Sequence, residues 1–333
     1  MFKKPKILVI GSFVMDLTVS TQKFPNSGET VFGESFQTAP GGKGANQAIQ
    51  AAKLGADVTM VGKVGKDDFG KRLIRSCAEA GIKTDRILVD NDTSSAVGNV
   101  LLEVGERKAT KNRIIVVPGT NMTIVPEDVS FLKDTINQYD MVILQLEIPQ
   151  KIDRIVAKYA FNKGVPVMLN PAPSAALPDD FLSCLTYISP NEHEAADLTG
   201  VKIRKNGKNA NNDDVRAAVR ILLDKGIQNV VITLGNAGAV VANQKEYIYR
   251  PCIDVVEVKD PTAAGDSFVG AFSTGICAGM NPEQALDFAN YTATLTVSEA
   301  GAQPSLPRLE DVLCLMKQQN YSNLNNSAIN ILK

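Results

Sequence analysis

Several things are scarce in this 333-residue sequence, and each shortage removes a class of function. Histidine occurs once, at His193, so a Ser-His-Asp hydrolase would depend on that residue alone. The cysteines number five: Cys77, Cys184, Cys252, Cys277 and Cys314. They are scattered, odd in number and without CxxC spacing, which argues against a disulfide framework or a zinc site and for a reducing cytoplasm. Net charge is almost absent. The 35 Lys and Arg balance 36 Asp and Glu, so no global field draws nucleic acid or an anionic membrane to the chain. Long apolar runs are missing too: residues 7–10, behind Lys3, Lys4 and Lys6, are too few for a signal-peptide core or a membrane span. They read as a first buried strand. It runs into Gly11, Ser12, Phe13 and Val14 with no GxGxxG, so a dinucleotide-dependent oxidoreductase lacks local support.

What is present is a 44% hydrophobic chain, long enough for one large domain with a substantial core. Apolar runs of strand length recur at residues 7–10, 58–61, 141–146, 165–169, 186–188 and 229–234, mostly separated by segments of helical spacing. That alternation predicts an α/β chain in which helices cover a mostly parallel sheet. Helices are expected over 45–54, 67–80 and 213–225, each followed by a glycine (Gly55, Gly81, Gly226) at the left-handed C-terminal position. Residues 14–38 and 93–117 lack helical spacing and read as strands of a small separate sheet. The domain is expected over residues 1–320, with 204–212 a solvated loop and the Asn- and Ser-rich 321–333 a peripheral tail.

Two glycine-bearing segments could carry chemistry. In Thr262-Ala263-Ala264-Gly265-Asp266, small residues lead into an apolar-periodic segment over 267–277 that should be helical. Amides at a helix N-terminus, aided by the helix dipole, make a site for phosphate or developing negative charge. A carboxylate there is either functional or a simple helix cap, and the segment alone does not separate the two. The second segment, Gly41-Gly42-Lys43-Gly44-Ala45-Asn46-Gln47-Ala48, is a glycine-rich turn entering a helix, and it is not a GxxxxGK[ST] P-loop. Turns need glycine for positive φ as well. The polar Lys43 and Asn46 inside the turn suit a polyhydroxylated ligand.

Together these segments resemble the two signatures of the ribokinase (PfkB-type) carbohydrate kinase family. The likeness spans nearly the whole chain, through Gly11-Ser12 and Asp16, residues 25–30 (PNSGET), Gln145-Leu146-Glu147, Asn170-Pro171-Ala172-Pro173, residues 190–194 (PNEHE) and residues 301–305 (GAQPS). It implies a three-layer αβα sandwich with a small β-sheet lid over the sugar, and ATP-dependent phosphorylation of a sugar's primary hydroxyl. Asp266 would be the general base, with the amides of Ala263, Ala264 and Gly265 as an anion hole. Asp16, Gly42, Lys43, Asn46 and Glu147 would hold the sugar. Asn191, Thr233, Gly235, Gly238, Gly265 and Asn290 would hold ATP, although the turn 233–238 by itself reads equally as a hairpin turn. Glu194 would place Mg2+ through water, as that ion tends to keep its waters. A K+ site would draw on Asp260, Thr262, Thr296, Glu299, Gly301 and Ser305. Paired lids would make a homodimer. His193 is expected to be an exposed helical residue.

The chain departs from the family at one sugar-binding position. Ribokinases usually carry Asn two residues before the first-motif Asp, whereas this chain has Val14. Valine cannot hydrogen-bond a hydroxyl, and a lost buried hydrogen bond costs about 1–3 kcal/mol. The apolar residue resembles deoxyribokinases, so 2-deoxyribose, or another furanose or nucleoside, competes with D-ribose as the expected substrate. From another class, a sugar or nucleotide sensor without turnover is the alternative, disfavoured by retention of Asp266 and Glu194.

Overall fold

The computed structural model of the chain describes residues 3–104 and 111–333, so residues 105–110 of the second expected lid segment lie outside the described residues. The strands, in chain order, begin with β1 (Lys6–Ile10), β2 (Val14–Thr21), β3 (Ser35–Gly41), β4 (Asp57–Gly65) and β5 (Ile87–Asp90). β6 (Val97–Glu103), β7 (Lys111–Val117), β8 (Met141–Leu144), β9 (Val167–Leu169) and β10 (Tyr187–Ile188) follow. The last are β11 (Lys205–Asn206), β12 (Asn209–Ala210), β13 (Asn229–Thr233), β14 (Ala239–Ala242) and β15 (Tyr247–Arg250).

Among the described residues, nine strands form the main sheet in the order β15-β14-β13-β10-β9-β8-β1-β4-β5. Pairing from β13 through β5 is parallel, and β14 and β15 add an antiparallel edge. The side-chain period of two in a strand divides the core between the two faces. Ile7, Val9, Met141, Ile143 and Val231 enter one apolar cluster with the helices Lys43–Lys53, Ala264–Cys277 and Pro282–Val297. Leu8, Ile10, Val142, Leu144 and Val230 enter the other with Gln150–Asn162 and Asn212–Asp224. This is the three-layer sandwich expected above. Three expected helices are Lys43–Lys53, Asp68–Glu79 and Asn212–Asp224. Gly55, Gly81 and Gly226 follow them with φ of 101°, 80° and 94°.

The remaining long strands make a separate sheet, four-stranded among the described residues, in the order β3-β2-β6-β7, rising from the C-terminal end of β1. Two expectations are corrected. The stretch 204–212 contains the β11–β12 hairpin rather than only loop. The tail is not peripheral: it ends in the helix Asn326–Leu332, whose Ala328, Ile329 and Leu332 are buried in the core shared with the helix Lys43–Lys53. Its polar composition hid three apolar residues at helical spacing. Among the described residues, no helix is long and apolar enough to cross a membrane.

Candidate active site

The chain leaves β1 through Gly11, Ser12 and Phe13, and the glycine-rich turn packs directly on this backbone. Ala45 N–H donates to the Ser12 carbonyl at 3.0 Å, and Gly44 N–H donates to Ser12 Oγ at 3.3 Å. Gly42 has φ 96°, and a Cβ there would lie 2.7 Å from Val14 N; one at Gly44 would lie 2.6 Å from Ser12 N. These glycines are therefore required by backbone-on-backbone contact, before any ligand is considered. Asn121 fixes the same segment from below, accepting from Phe13 N–H at 3.0 Å and donating to its carbonyl at 2.8 Å. Glu147, just beyond β8, accepts from Ser12 Oγ at 2.5 Å and from Lys43 N–H at 3.1 Å.

Asp266 does not cap its helix. The helix is Ala264–Cys277, and its N-cap is Ala263, at φ 61° and with no side-chain cap. A left-handed alanine is strained by about 1–3 kcal/mol and persists only when its surroundings impose it. Buried Asp266 instead accepts from Asn46 Nδ2 at 2.9 Å on one oxygen and from Gln47 Nε2 at 3.0 Å on the other. Gln47 Nε2 also donates to Asn170 Oδ1 at 3.1 Å, and Gln145 Nε2 donates to Gln47 Oε1 at 2.7 Å. Neutral amides thus orient the carboxylate without neutralising it. Asn46 Oδ1 is buried and has no hydrogen-bond partner among the described residues. Of the three expected anion-hole amides, that of Ala264 donates to the Pro261 carbonyl at 3.2 Å within its own turn.

Asp16 lies on β2, in register with Gly98 of β6. A Cβ at Gly98 would sit 2.7 Å from Asp16 Oδ1, and one at Gly41 would sit 2.7 Å from Oδ2, so glycines on both neighbouring strands make room for this carboxylate. Burial first, then the charges of Glu147 and Asp266, push its pKa up to about 6. For Lys43, burial favours the neutral form, but Asp266, Glu147 and Glu194 together outweigh it and hold the ammonium above its ordinary value. Val14, at the base of β2, is buried and opposite Gly41 in register.

The expected nucleotide residues come from two segments. Asn191 caps the helix Glu192–Thr199 by accepting from the amides of His193 and Glu194 at 2.8 and 2.9 Å, and Glu194 accepts from Asn191 N–H at 2.8 Å. Burial raises the Glu194 pKa, opposed by that amide and by Lys43. Thr233 bridges to Asn191. The turn carrying Gly235 (φ 57°) and Gly238 (φ 94°) does join β13 and β14 as a hairpin, so the structural reading of that turn holds whatever ligand it meets. A cavity of about 230 Å3 is lined by Lys43, Asn170, Asn191, Glu194, Thr233 and Asp266, with Ala263 and Gly265. Gly235, Gly238 and Asn290 lie outside that lining, and the buried Asn290 Nδ2 has no hydrogen-bond partner among the described residues. His193 is exposed.

Asp260 ties its loop to the end of the helix Pro282–Val297, with Oδ1 accepting from Thr262 N–H at 2.9 Å and Oδ2 from Gly301 N–H at 2.8 Å. Burial would raise its pKa, but these bonds prevail and lower it. The Thr296 and Ser305 hydroxyls donate to the carbonyls of Thr292 and Ala302 at 3.0 and 2.7 Å. The Glu299 carboxylate turns outward to Lys259 at 3.5 Å. The structure therefore joins Asp260, Thr262 and Gly301, and turns the Glu299 carboxylate to Lys259 instead. Oxygen donors of this kind suit a hard cation. Among the described residues, no cluster of three or more His, Cys, Asp or Glu could hold a metal. One carboxylate completed by phosphate and water remains compatible with Mg2+.

Gln47, Gln145 and Asn170 carry the network beneath Asp266 and had no assigned role in the sequence reading, although all three stand inside the motifs quoted there. Asn121 and Gly98 had no local signal, because their partners are 108 residues away at Phe13 and on a neighbouring strand.

The pfkB family carbohydrate kinase model matches residues 4–309. A ribokinase of Bacillus subtilis is 38% identical over 306 residues, covering 92% of this chain and 97% of the relative. A deoxyribokinase of Salmonella typhi is 33% identical over 305 residues, covering 91% and 96%. The structure of Arabidopsis thaliana ribokinase complexed with ribose and ATP superposes with a TM-score of 0.84 at 31% identity, covering 95% of this chain and 99% of that one. By these matches and the shared architecture, the chain belongs to the pfkB family of carbohydrate kinases.

Proposed function

We propose that the chain transfers the γ-phosphoryl group of ATP to the primary 5-hydroxyl of a pentose, D-ribose, giving ribose 5-phosphate and ADP. The observation that carries this reading is the Asp266 carboxylate, held between two amide donors at an uncapped helix N-terminus on the wall of the cavity. Asp266 takes the hydroxyl proton as the O5–phosphorus bond forms and the bond to the ADP oxygen breaks. Positioning and charge stabilisation do most of the work in such transfers. The amides of Ala263, Ala264 and Gly265 face the developing charge, Ala264 after giving up its turn bond to Pro261.

Asp16, Gly42, Lys43, Asn46 and Glu147 hold the sugar, and the orphaned Asn46 Oδ1 is an acceptor waiting for a hydroxyl donor. Asn191, Thr233, Gly235, Gly238 and Asn290 hold ATP, with Asn290 Nδ2 as the matching orphaned donor. Mg2+, when bound, neutralises phosphate charge, and Glu194 holds it through water. Oxygens at Asp260, Thr262, Thr296, Glu299, Gly301 and Ser305 would hold K+, whose charge would sit beside the transferred phosphoryl group. The four-stranded sheet closes over the sugar and excludes water that would hydrolyse ATP.

One observation favours 2-deoxyribose as a second reading: buried, apolar Val14 stands beside Asp16. A coupled ADP-release assay over ribose, 2-deoxyribose, fructose and nucleosides tests both. Ribose is expected to give the highest kcat/KM, and Asp266→Asn should lower kcat by about 100- to 10,000-fold, the range for a lost general base. Undiminished activity of that variant would sink the mechanism, and turnover with no sugar would favour a sensor.

A further inference from the structure

The β11–β12 hairpin is fastened at three points to segments that frame the nucleotide residues. Gly207, the first residue of its two-residue tip, has φ 61°, as a II′ hairpin turn requires there. At its base, Arg204 donates to Asp214 through Nε and Nη2, both at 2.7 Å, anchoring it to the helix Asn212–Asp224. In its stem, Lys205 Nζ donates to the Leu234 carbonyl at 2.6 Å and pairs with Glu192. At its tip, Lys208 pairs with Asp254, in the segment between β15 and the Asp260 loop.

Lys205 is the informative member. Its ion pair with Glu192 is sheltered, the two side chains being 23% and 19% exposed, unlike an ordinary surface pair. The pair lies under Gly235, where a Cβ would sit 3.5 Å from Lys205 Nζ and 3.9 Å from Glu192 Oε1. Glu192 begins the helix that carries Glu194, and Leu234 begins the turn that carries Gly235 and Gly238. One ammonium therefore joins the two segments of the nucleotide site, which also meet through the Asn191–Thr233 bridge, the Thr233 N–H bond to the Pro190 carbonyl and a shared apolar cluster.

We infer that this hairpin is a nucleotide clasp, with Lys205 as a positioning residue that fixes the spacing between the helix Glu192–Thr199 and the turn at Leu234, and so sets affinity for ATP. The inference rests on the reading of those two segments as the ATP site. The sugar residues lie on other elements, and Glu194 meets Lys43 only as a charge in the shared cavity, so the effect of the clasp falls chiefly on ATP.

Steady-state kinetics and calorimetric ATP binding on Lys205→Ala, Lys205→Arg and Lys208→Ala, each checked by thermal melting, test it. Loss of one charge-assisted bond in Lys205→Ala is expected to raise KM and Kd for ATP about tenfold. The ribose KM should stay within about twofold, the pattern of an interaction confined to one substrate. Lys205→Arg should restore most of the ATP affinity, and Lys208→Ala should show the same selectivity in weaker form. Should the alanine variant not fold, Lys205→Met keeps the aliphatic stem and carries the same readout. A folded Lys205 variant that binds ATP as tightly as the parent overturns the inference, as does an equal rise in both KM values. If the parent binds ATP but phosphorylates no pentose, the functional reading fails while calorimetry still decides the clasp.

Discussion

Asp16 shows how neighbours tune one residue. It shares a partly closed site with Glu147 and Asp266, and its pKa is pushed up to about 6, by burial first and by those charges second. In the unfolded chain it ionises near the ordinary value of 3.8. Between about pH 4 and 6 the native state therefore binds more protons than the unfolded one, so this residue's penalty on stability is relieved as pH falls through that window and is constant above it. Sugar binding has the opposite preference, because an ionised carboxylate accepts from two hydroxyls whereas a protonated one gives up acceptor capacity. The KM for ribose should accordingly rise as pH falls through about 6. Asp16→Asn should bind ribose more weakly at neutral pH and show a flat profile through that range; a retained inflection would assign the titration to another group.

At the scale of elements, the strands of the lid pack around Asp16 because glycines leave space. Gly98 of β6 and Gly41 of β3 flank Asp16, and neither could bear a Cβ without moving its carboxylate. Gly98→Ala is expected to raise the ribose KM by roughly 10- to 100-fold, the cost of about 1.4–2.8 kcal/mol in a displaced hydrogen-bonding group, while the KM for ATP stays unchanged. Kinetics with each substrate varied in turn checks this, and parallel loss of ATP affinity would point to a misfolded lid instead. The expected helices were legible because period and terminal glycine agree for Lys43–Lys53, Asp68–Glu79 and Asn212–Asp224. The pairing β2–β6 was not, since parallel neighbours need no turn signal between them and the intervening 75 residues contain the main-sheet strands β4 and β5.

At the scale of the whole molecule, the C-terminal helix and the lid edge make separate predictions. Ile329 and Leu332 are buried in the apolar cluster that includes the helix Lys43–Lys53, and burying each such side chain contributes about 1.5–3 kcal/mol. Removing residues 326–333 should lower stability by roughly 3–6 kcal/mol, as measured by denaturant unfolding, whereas a change under about 1 kcal/mol would mean the helix is dispensable. The edge strand β7 exposes Ile114, Ile115, Val116 and Val117, at 48–64%, on both of its faces. An open, apolar edge of this kind favours pairing with a second copy. Light scattering is expected to give twice the mass of the 35.7 kDa chain, falling to the single mass in Ile115→Lys; a monomer in the parent chain would count against lid pairing.

The sequence by itself determined the α/β class, the buried strands and the two glycine-bearing segments, because those depend on local periodicity and backbone freedom. Only the tertiary structure showed that Asp266 does not cap its helix and which amides hold its carboxylate. Its partners, Asn46 and Gln47, lie 220 and 219 residues away, and no local pattern encodes which side chains meet across that distance. The same separation explains why the amides of Gln47, Gln145 and Asn170 became a network only when the strands were side by side.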